Sequence, residues 1–228
     1  MMVRGRSPAF GRGRLIVVLG AMVVALLAGC VIDGQAEGDS GGDLAGRGVS
    51  AQDFPVSGAT RVPDTAVPFA LGGLSGSDPV VGYPAGCAPT APEEAGAVVY
   101  SVVVNGGETS YTSAVAHVHD ALGDVIAQAR RCPESRIGGE DADGLVQTEI
   151  RPAPAGAPAG VVTAALHRTV RTGDPAHQTV TSSLTLLAQQ GGVRVYAQYR
   201  WPGDGTIDPS AAAGLDGLFG KAVTAAFG

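Results

Sequence analysis

The sequence contains few cysteines, few aromatic residues and little charge. Its 228 residues include three Cys and one Trp, and only 16% of them are charged. Neither CxxC nor HxxxH spacing occurs, so the residues give little support for a Cys/His metal site. The apolar run Leu15–Leu27 has 13 residues, which is short of the roughly 20 that a membrane-spanning helix needs.

The first 29 residues form a segment of their own. Four arginines and no acidic residue precede the apolar run, an order that is typical of a secretory signal peptide. The run ends in Leu27-Ala28-Gly29-Cys30, which resembles the bacterial lipobox, where the cysteine is lipidated and becomes the new N-terminus. We therefore expect a lipoprotein signal peptide over residues 1–29 and lipidation of Cys30. An uncleaved helical anchor would give the same topology.

The net charge that remains after removal of the signal peptide argues against nucleic acid as a binding partner. Removal of residues 1–29 takes away four Arg and no acid, which leaves 11 basic and 21 acidic residues and a net charge of −10. Because nucleic-acid binding requires Lys and Arg to neutralise phosphates, such an acidic chain is a poor nucleic-acid binder. We expect the lipid, rather than surface charge, to hold the protein at the outer, extracytoplasmic face of the cell membrane.

The two remaining cysteines predict one disulfide. If Cys30 carries lipid, Cys87 and Cys132 are left to pair with each other. Export places them in an oxidising compartment, where a disulfide persists. A metal site is the competing interpretation, and the spacing does not favour it.

Composition divides the chain after the lipidated cysteine. Residues 31–80 are rich in small and polar residues, as in Gly34–Asp53, which shows no apolar period, whereas Val67–Ser77 is more apolar and is a candidate to pack on the edge of the domain. Such a composition does not bury enough surface to offset the entropy of ordering. We therefore predict a flexible tether over residues 30–80 and a single folded domain over residues 81–228.

Apolar periodicity within this domain predicts its elements. The β-branched run Ala97–Val104 predicts a buried strand, and helical spacing predicts a helix over Thr112–Arg131. A Gly191-Gly192 turn predicts a hairpin, and Asp208-Pro209 predicts the start of a last helix that ends near Phe227. Alternation predicts four more strands, Leu145–Arg151, Val161–Thr172, Gln178–Gln190 and Val193–Trp201. The expected fold is α+β, with an antiparallel sheet of about five strands and two helices packed on one face, in the order β-α-β-β-β-β-α.

Polar residues that alternate with the apolar ones on these strands are the candidate binding site. Arginine recognises carboxylate or phosphate with two parallel hydrogen bonds, and tyrosine adds contact area. The candidates are Arg151, His167, Arg171, Arg194, Tyr196 and Arg200. An ordinary solvated sheet face is the alternative. The sequence predicts no catalytic residue, no metal ligand and no cofactor, because none of the four His has an evident nucleophile beside it.

Several of these features together resemble a group of actinobacterial lipoproteins that share the PknH-type extracellular sensor domain. The resemblance depends on the lipobox at Leu27–Cys30, the low-complexity segment after it, Cys87, and Ala121–Pro133, a helix that ends in Cys. It implies an α+β domain with a cleft, an unidentified ligand and no catalysis.

These observations lead to one expected function and one alternative. We expect a lipid-anchored envelope lipoprotein that is not an enzyme and whose domain binds a small ligand or a cell-envelope component. The alternative is a protein–protein interaction module that scaffolds an envelope complex.

Overall fold

The structure, a computed structural model, describes residues 43–78, 81–137, 144–174 and 176–228. Cys30 and the predicted signal peptide lie outside these residues. Within them the strands are β1 (Thr60–Arg61), β2 (Val81–Gly82), β3 (Val98–Val104), β4 (Thr109–His117), β5 (Glu134–Ile137), β6 (Gly144–Arg151), β7 (Val162–Thr172), β8 (Thr179–Gln190) and β9 (Val193–Pro202). The α-helices are α1 (Val67–Ser75), α2 (Leu122–Arg131) and α3 (Pro209–Phe227).

The nine strands of the described chain belong to one antiparallel sheet, in the order β1-β3-β4-β9-β8-β7-β6-β5-β2. Strands β5 to β9 form a meander, in which each strand pairs with the next along the chain. The β3–β4 hairpin joins this meander at β9. The two-residue strands β1 and β2 lie at the edges, and such short edge strands present little unpaired backbone.

The helices cover both faces of this sheet. α3 packs on the face that carries Val195 and Ala197 of β9, which we call the α3 face. α1 and α2 lie on the opposite face, over Leu187 and Tyr196. The prediction of about five strands with two helices on one face is therefore wrong. A strand that is covered on both faces has no solvent-exposed polar side, so its sequence lacks the apolar–polar alternation by which strands are recognised.

The chain before β1 packs against the domain. Leu44 is fully buried and Phe54 is 7% exposed, and both belong to the cluster that contains α3. Arg47 donates from Nε and Nη2 to the carbonyl of Ala226, near the end of α3, at 3.1 and 2.8 Å. Residues 43–78, which the sequence assigns to the flexible tether, are thus part of the fold. Their apolar side chains are spaced irregularly, so no periodic pattern reveals them.

The predicted helix over Thr112–Arg131 is correct only in its second half. Leu122–Arg131 is α2, whereas Thr112–His117 belongs to β4. β4 pairs with β3 on one side and β9 on the other, and Val115 and Ala116 in its middle are at most 1% exposed. A central strand that is buried on both faces shows no alternation, and its apolar spacing fits a helix equally well.

α3 confirms the prediction made from its sequence. Asp208 accepts hydrogen bonds from the backbone N–H groups of Ser210 and Ala211 at 2.8 and 3.2 Å, and Pro209 occupies the first turn. The predicted apolar stripe is buried and includes Leu215, Leu218, Phe219, Ala222, Val223 and Ala226. Over the described ranges, no helix is both long enough and apolar enough to cross a membrane.

Candidate functional site

A groove lies between α1 and α2, on the sheet face opposite α3. Side chains of β6 to β9 form its floor, and the end of α1 and the second half of α2 form its walls. The cavity has a volume of about 250 Å³, which suits a ligand smaller than a typical drug molecule. We call it the α1–α2 groove.

Arg168 of β7 fastens α1 to the floor of this groove. It is only 8% exposed, and its Nη1 donates to the Leu74 carbonyl at 3.0 Å while its Nη2 donates to the Ser75 carbonyl at 2.5 Å. Carbonyls in the last turn of a helix have no partner within the helix, and a cation is favourable at this end of the helix dipole. Burial lowers the pKa of the Arg168 guanidinium, but arginine remains protonated in proteins.

Gly76 and Tyr83 complete the corner around Arg168. Gly76 ends α1 with φ +85°, in the left-handed region that favours glycine. A Cβ at this position would lie 2.6 Å from Nη2 of Arg168, so the guanidinium packs directly on the glycine backbone. The Tyr83 hydroxyl donates to the Gly76 carbonyl. Burial raises the pKa of Tyr83, although the Arg168 charge opposes this shift and the Asp78 carboxylate adds to it, and the net rise keeps this donor protonated.

The predicted Cys87–Cys132 disulfide is confirmed and forms part of the groove wall. The two Cα atoms are 5.8 Å apart, and Cys132 directly follows α2. Gln128 of α2 donates from Nε2 to the Cys87 carbonyl at 2.7 Å. The bridge therefore holds the chain that follows β2 against the C-terminal end of α2.

The floor of the groove carries more positive than negative charge. The sheet register places Arg168, Ser183 and Arg200 in one row across β7, β8 and β9. Arg200 is exposed, and no carboxylate in the described ranges lies within ion-pair distance of either arginine. Asp78, at the rim, is the one carboxylate among the described residues that line the groove.

A second cavity, of about 510 Å³, lies on the α3 face beside the first half of α3. His167 stacks on Trp201 there, with ring centroids 5.6 Å apart, and the indole Nε1 donates to the Gly205 carbonyl at 3.0 Å. Burial, together with the Arg151 charge, lowers the pKa of His167.

Both arginines beside this second cavity are paired with carboxylates. Arg151 pairs with Glu149 at 2.7 Å, and Arg171 pairs with Asp204 at 3.2 Å. Asp216 of α3 adds a further carboxylate to the lining. The second cavity is larger than the α1–α2 groove. It has no excess of positive charge, because each arginine beside it is paired with a carboxylate.

The six sequence-predicted site residues do not form one site. The sheet register divides them between the two faces. The α3 face carries Arg151, His167 and Arg171, and the opposite face carries Arg194, Tyr196 and Arg200. Of these six, Arg200 lines the α1–α2 groove, and Arg151 and His167 line the second cavity.

Arg194 and Tyr196 are core residues. Arg194 is 2% exposed and Tyr196 is fully buried. The Arg194 guanidinium donates to Gln189 Oε1 at 2.9 and 2.6 Å and to the Asp120 carboxylate at 3.1 Å. These contacts tie the chain before α2 to the sheet. Burial raises the pKa of Tyr196, as expected for a neutral phenol in a core.

Arg168 and Ser183 are absent from the candidates predicted from sequence. The sequence signal for Arg168 is that it alternates with Leu166 and Val170, on the apolar side of β7. A charged residue on the side of a strand that faces the core requires buried partners. Here these partners are the carbonyls of α1. Ser183 gives no comparable signal, because β8 contains several Ser and Thr residues on both of its sides.

Comparison with known proteins assigns no family to this arrangement: neither a family model nor a curated protein matches the chain. In the part of the chain that the structure describes, no three His, Cys, Asp or Glu side chains form a group that could hold a metal ion.

Proposed function

We propose that the protein is a lipid-anchored lipoprotein on the outer face of the cell membrane, and that its folded domain binds a small ligand in the α1–α2 groove without catalysis. The observation that carries the proposal is this groove, a cavity of about 250 Å³ with the exposed Arg200 on its floor. The resemblance to the PknH-type extracellular sensor domain belongs to the same proposal, since that family implies an α+β domain with a cleft.

The lining of the groove favours binding over catalysis. Its hydroxyl groups come from serine, threonine and tyrosine, and the described lining contains no His, Lys or Glu, so that its one candidate general base is the Asp78 carboxylate. A serine or threonine nucleophile needs such a base within hydrogen-bond reach. Asp78 lies at the rim, near the Tyr83 hydroxyl.

Two features support the proposed location. Leu27-Ala28-Gly29-Cys30 follows a basic and then an apolar segment, in the order of a lipoprotein signal. The Cys87–Cys132 disulfide is of the kind that persists in oxidising compartments outside the cytosol.

A continuous exposed apolar patch would favour the alternative, an interaction module. The large apolar side chains that are exposed in the described chain lie on four different elements, namely Phe69 on α1, Val103 on β3, Ile150 on β6 and Val162 on β7. Exposed apolar residues that are scattered singly are ordinary on protein surfaces, so these residues favour the groove as the functional feature.

Native mass spectrometry of the full chain, purified from its own membranes in a neutral detergent, tests the ligand. We expect a mass in excess of the lipidated chain that is lost on collisional activation. Recovery of the empty chain, with its whole mass accounted for, would contradict ligand binding. For the anchor, Cys30→Ala should abolish acyl labelling, and labelling that persists in this variant would refute lipidation at this residue.

A further inference from the structure

The floor of the α1–α2 groove presents a row of three polar side chains at fixed positions. Arg168 pairs with Ser183 across β7 and β8, and Ser183 pairs with Arg200 across β8 and β9. Directly paired residues point to the same face of a sheet, so the three side chains lie side by side. Because neighbouring strands are about 4.8 Å apart, the two arginine Cα atoms are about 10 Å apart, with the serine between them.

This row is electropositive within an acidic protein. The chain has 15 basic and 21 acidic residues, yet in the described ranges neither arginine of the row has a carboxylate within 4.0 Å. Arg168 donates to the backbone carbonyls of α1 instead. A cleft lined by one sign of charge concentrates the field and attracts ligands of the opposite sign.

The two arginines have different roles in the row. Arg168 is buried and held by α1, so it supplies positive charge at a fixed point. Arg200 is exposed at the floor of the groove, where its guanidinium is able to make two parallel hydrogen bonds to an oxyanion. Ser183 is half-buried between them, and its hydroxyl is able to donate a hydrogen bond to the same oxyanion.

We infer that the α1–α2 groove recognises its ligand by an anionic oxygen group, a carboxylate or a phosphate, which Arg200 and Ser183 bind while Arg168 provides a second positive charge. This inference rests on the proposed function, because it assigns the chemical class of ligand to the same groove. It goes further in predicting that a neutral ligand is not retained there.

Calorimetric titration of the full chain in neutral detergent and Tris-chloride buffer tests the inference. One arm uses inorganic phosphate as the probe and the other uses acetate, so that the arm that binds identifies the group. We expect Arg200→Gln to weaken binding by about tenfold or more, because hydrogen bonds to charged groups contribute about 1.5–3 kcal/mol each. Arg200→Lys should be intermediate, since it keeps the charge without the planar fork.

Arg61→Gln is the matched control, because Arg61 is exposed on β1 and does not line the groove. Its affinity should equal that of the unmodified chain. The inference would be overturned if Arg200→Gln bound the anion with the affinity of the unmodified chain. It would also be overturned if Arg200→Gln and Arg61→Gln lost affinity for the anion equally.

Native mass spectrometry of Arg200→Gln separates this inference from the proposed function. A ligand that co-purifies with both the unmodified chain and the variant would show that the groove binds by other means, so the anion inference would fail while the proposed function stands. If the unmodified chain carries no ligand and binds neither phosphate nor acetate, both fail.

Discussion

The contact between Arg168 and the end of α1 predicts a measurable loss of stability on Arg168→Met. Nη1 and Nη2 make two short hydrogen bonds, to the carbonyls of Leu74 and Ser75 at 3.0 and 2.5 Å. Hydrogen bonds with a charged partner contribute about 1.5–3 kcal/mol each. Removal of both therefore costs about 3–6 kcal/mol before any compensation.

Two effects reduce this cost. Methionine removes a buried cation, whose desolvation carries a penalty of several kcal/mol even when the cation is well paired. Ser75, which carries one of the two freed carbonyls, also lines the groove, where water replaces part of the lost hydrogen bonding. We therefore expect Arg168→Met to lower the free energy of unfolding by about 2–4 kcal/mol, with Arg168→Lys in between because an ammonium group lacks the fork that spans two carbonyls.

Urea unfolding of the full chain, followed by far-ultraviolet circular dichroism, measures this loss. Amide hydrogen exchange adds a local readout, because the release of α1 should speed exchange at Gly76, whose N–H bonds the Gly72 carbonyl at 2.8 Å. Arg200→Gln is the control and should change stability by less than about 0.5 kcal/mol, as an exposed side chain away from the core. A wild-type midpoint and unchanged exchange in Arg168→Met would refute the conclusion that Arg168 holds α1 in place.

Three further predictions address the groove wall, the end of α1 and the second cavity. Replacing both Cys87 and Cys132 by Ser should cost about 4 kcal/mol in urea unfolding, because the bridge closes a separation of 45 residues in the chain-entropy model; a loss below about 1 kcal/mol would contradict it. Gly76→Ala should lower the free energy of unfolding by about 1–3 kcal/mol, since the φ of +85° and the 2.6 Å approach of a guanidinium both exclude a Cβ. Gly73→Ala, where a Cβ meets nothing within 4 Å, should be neutral or stabilising. Burial lowers the pKa of His167, so this residue should reduce stability as the pH falls below about 6.5, the ordinary value at which the unfolded chain takes up the proton. The loss of stability between pH 7 and pH 5 should then be smaller in His167→Gln, and an equal loss in both proteins would argue against a half-buried neutral imidazole.

The elements that local sequence signals specify are the ones predicted correctly. α3 has an Asp N-cap, a proline in its first turn and a complete apolar stripe, and the turn between β8 and β9 has glycine at both of its positions, one of them with φ +57°. The disulfide follows from a count of cysteines after one is assigned to the lipid. The helix and turn signals depend on neighbouring residues, and the disulfide depends on a count, so none of these predictions requires knowledge of the tertiary contacts.

The elements that tertiary contacts specify are the ones predicted wrongly. β4 is a strand because it fits between β3 and β9, and apolar residues occur on both of its sides. Leu44 and Phe54 are buried because α3 and the sheet offer them a surface, although the segment between them has the composition of a linker. In both cases at least one deciding partner lies far away along the chain, namely β9 for β4 and α3 for Leu44 and Phe54. No short window of sequence contains that partner.

The six predicted site residues lie on two opposite faces of the sheet, and this error also comes from tertiary contacts. The alternation along each strand was predicted correctly, but the face that each set of residues occupies was not. Alternation separates the residues of each strand into two sets, but it does not tell which set of one strand shares a face with which set of the next. The apolar Leu166 of β7 lies beside Thr185 of β8 and then Gln198 of β9, so the apolar set of β7 and the polar set of β9 share the face that carries α1 and α2. The polar sets of the two strands therefore lie on opposite faces, as His167 and Arg200 do.

This reversal occurs because α3 covers β9 on one face while α2 covers β6 and β7 on the other, so the buried side changes across the sheet. Arg168 is the residue that marks this change in the sequence, since a charge in the apolar set of a strand indicates that the set faces a polar partner, here the end of α1.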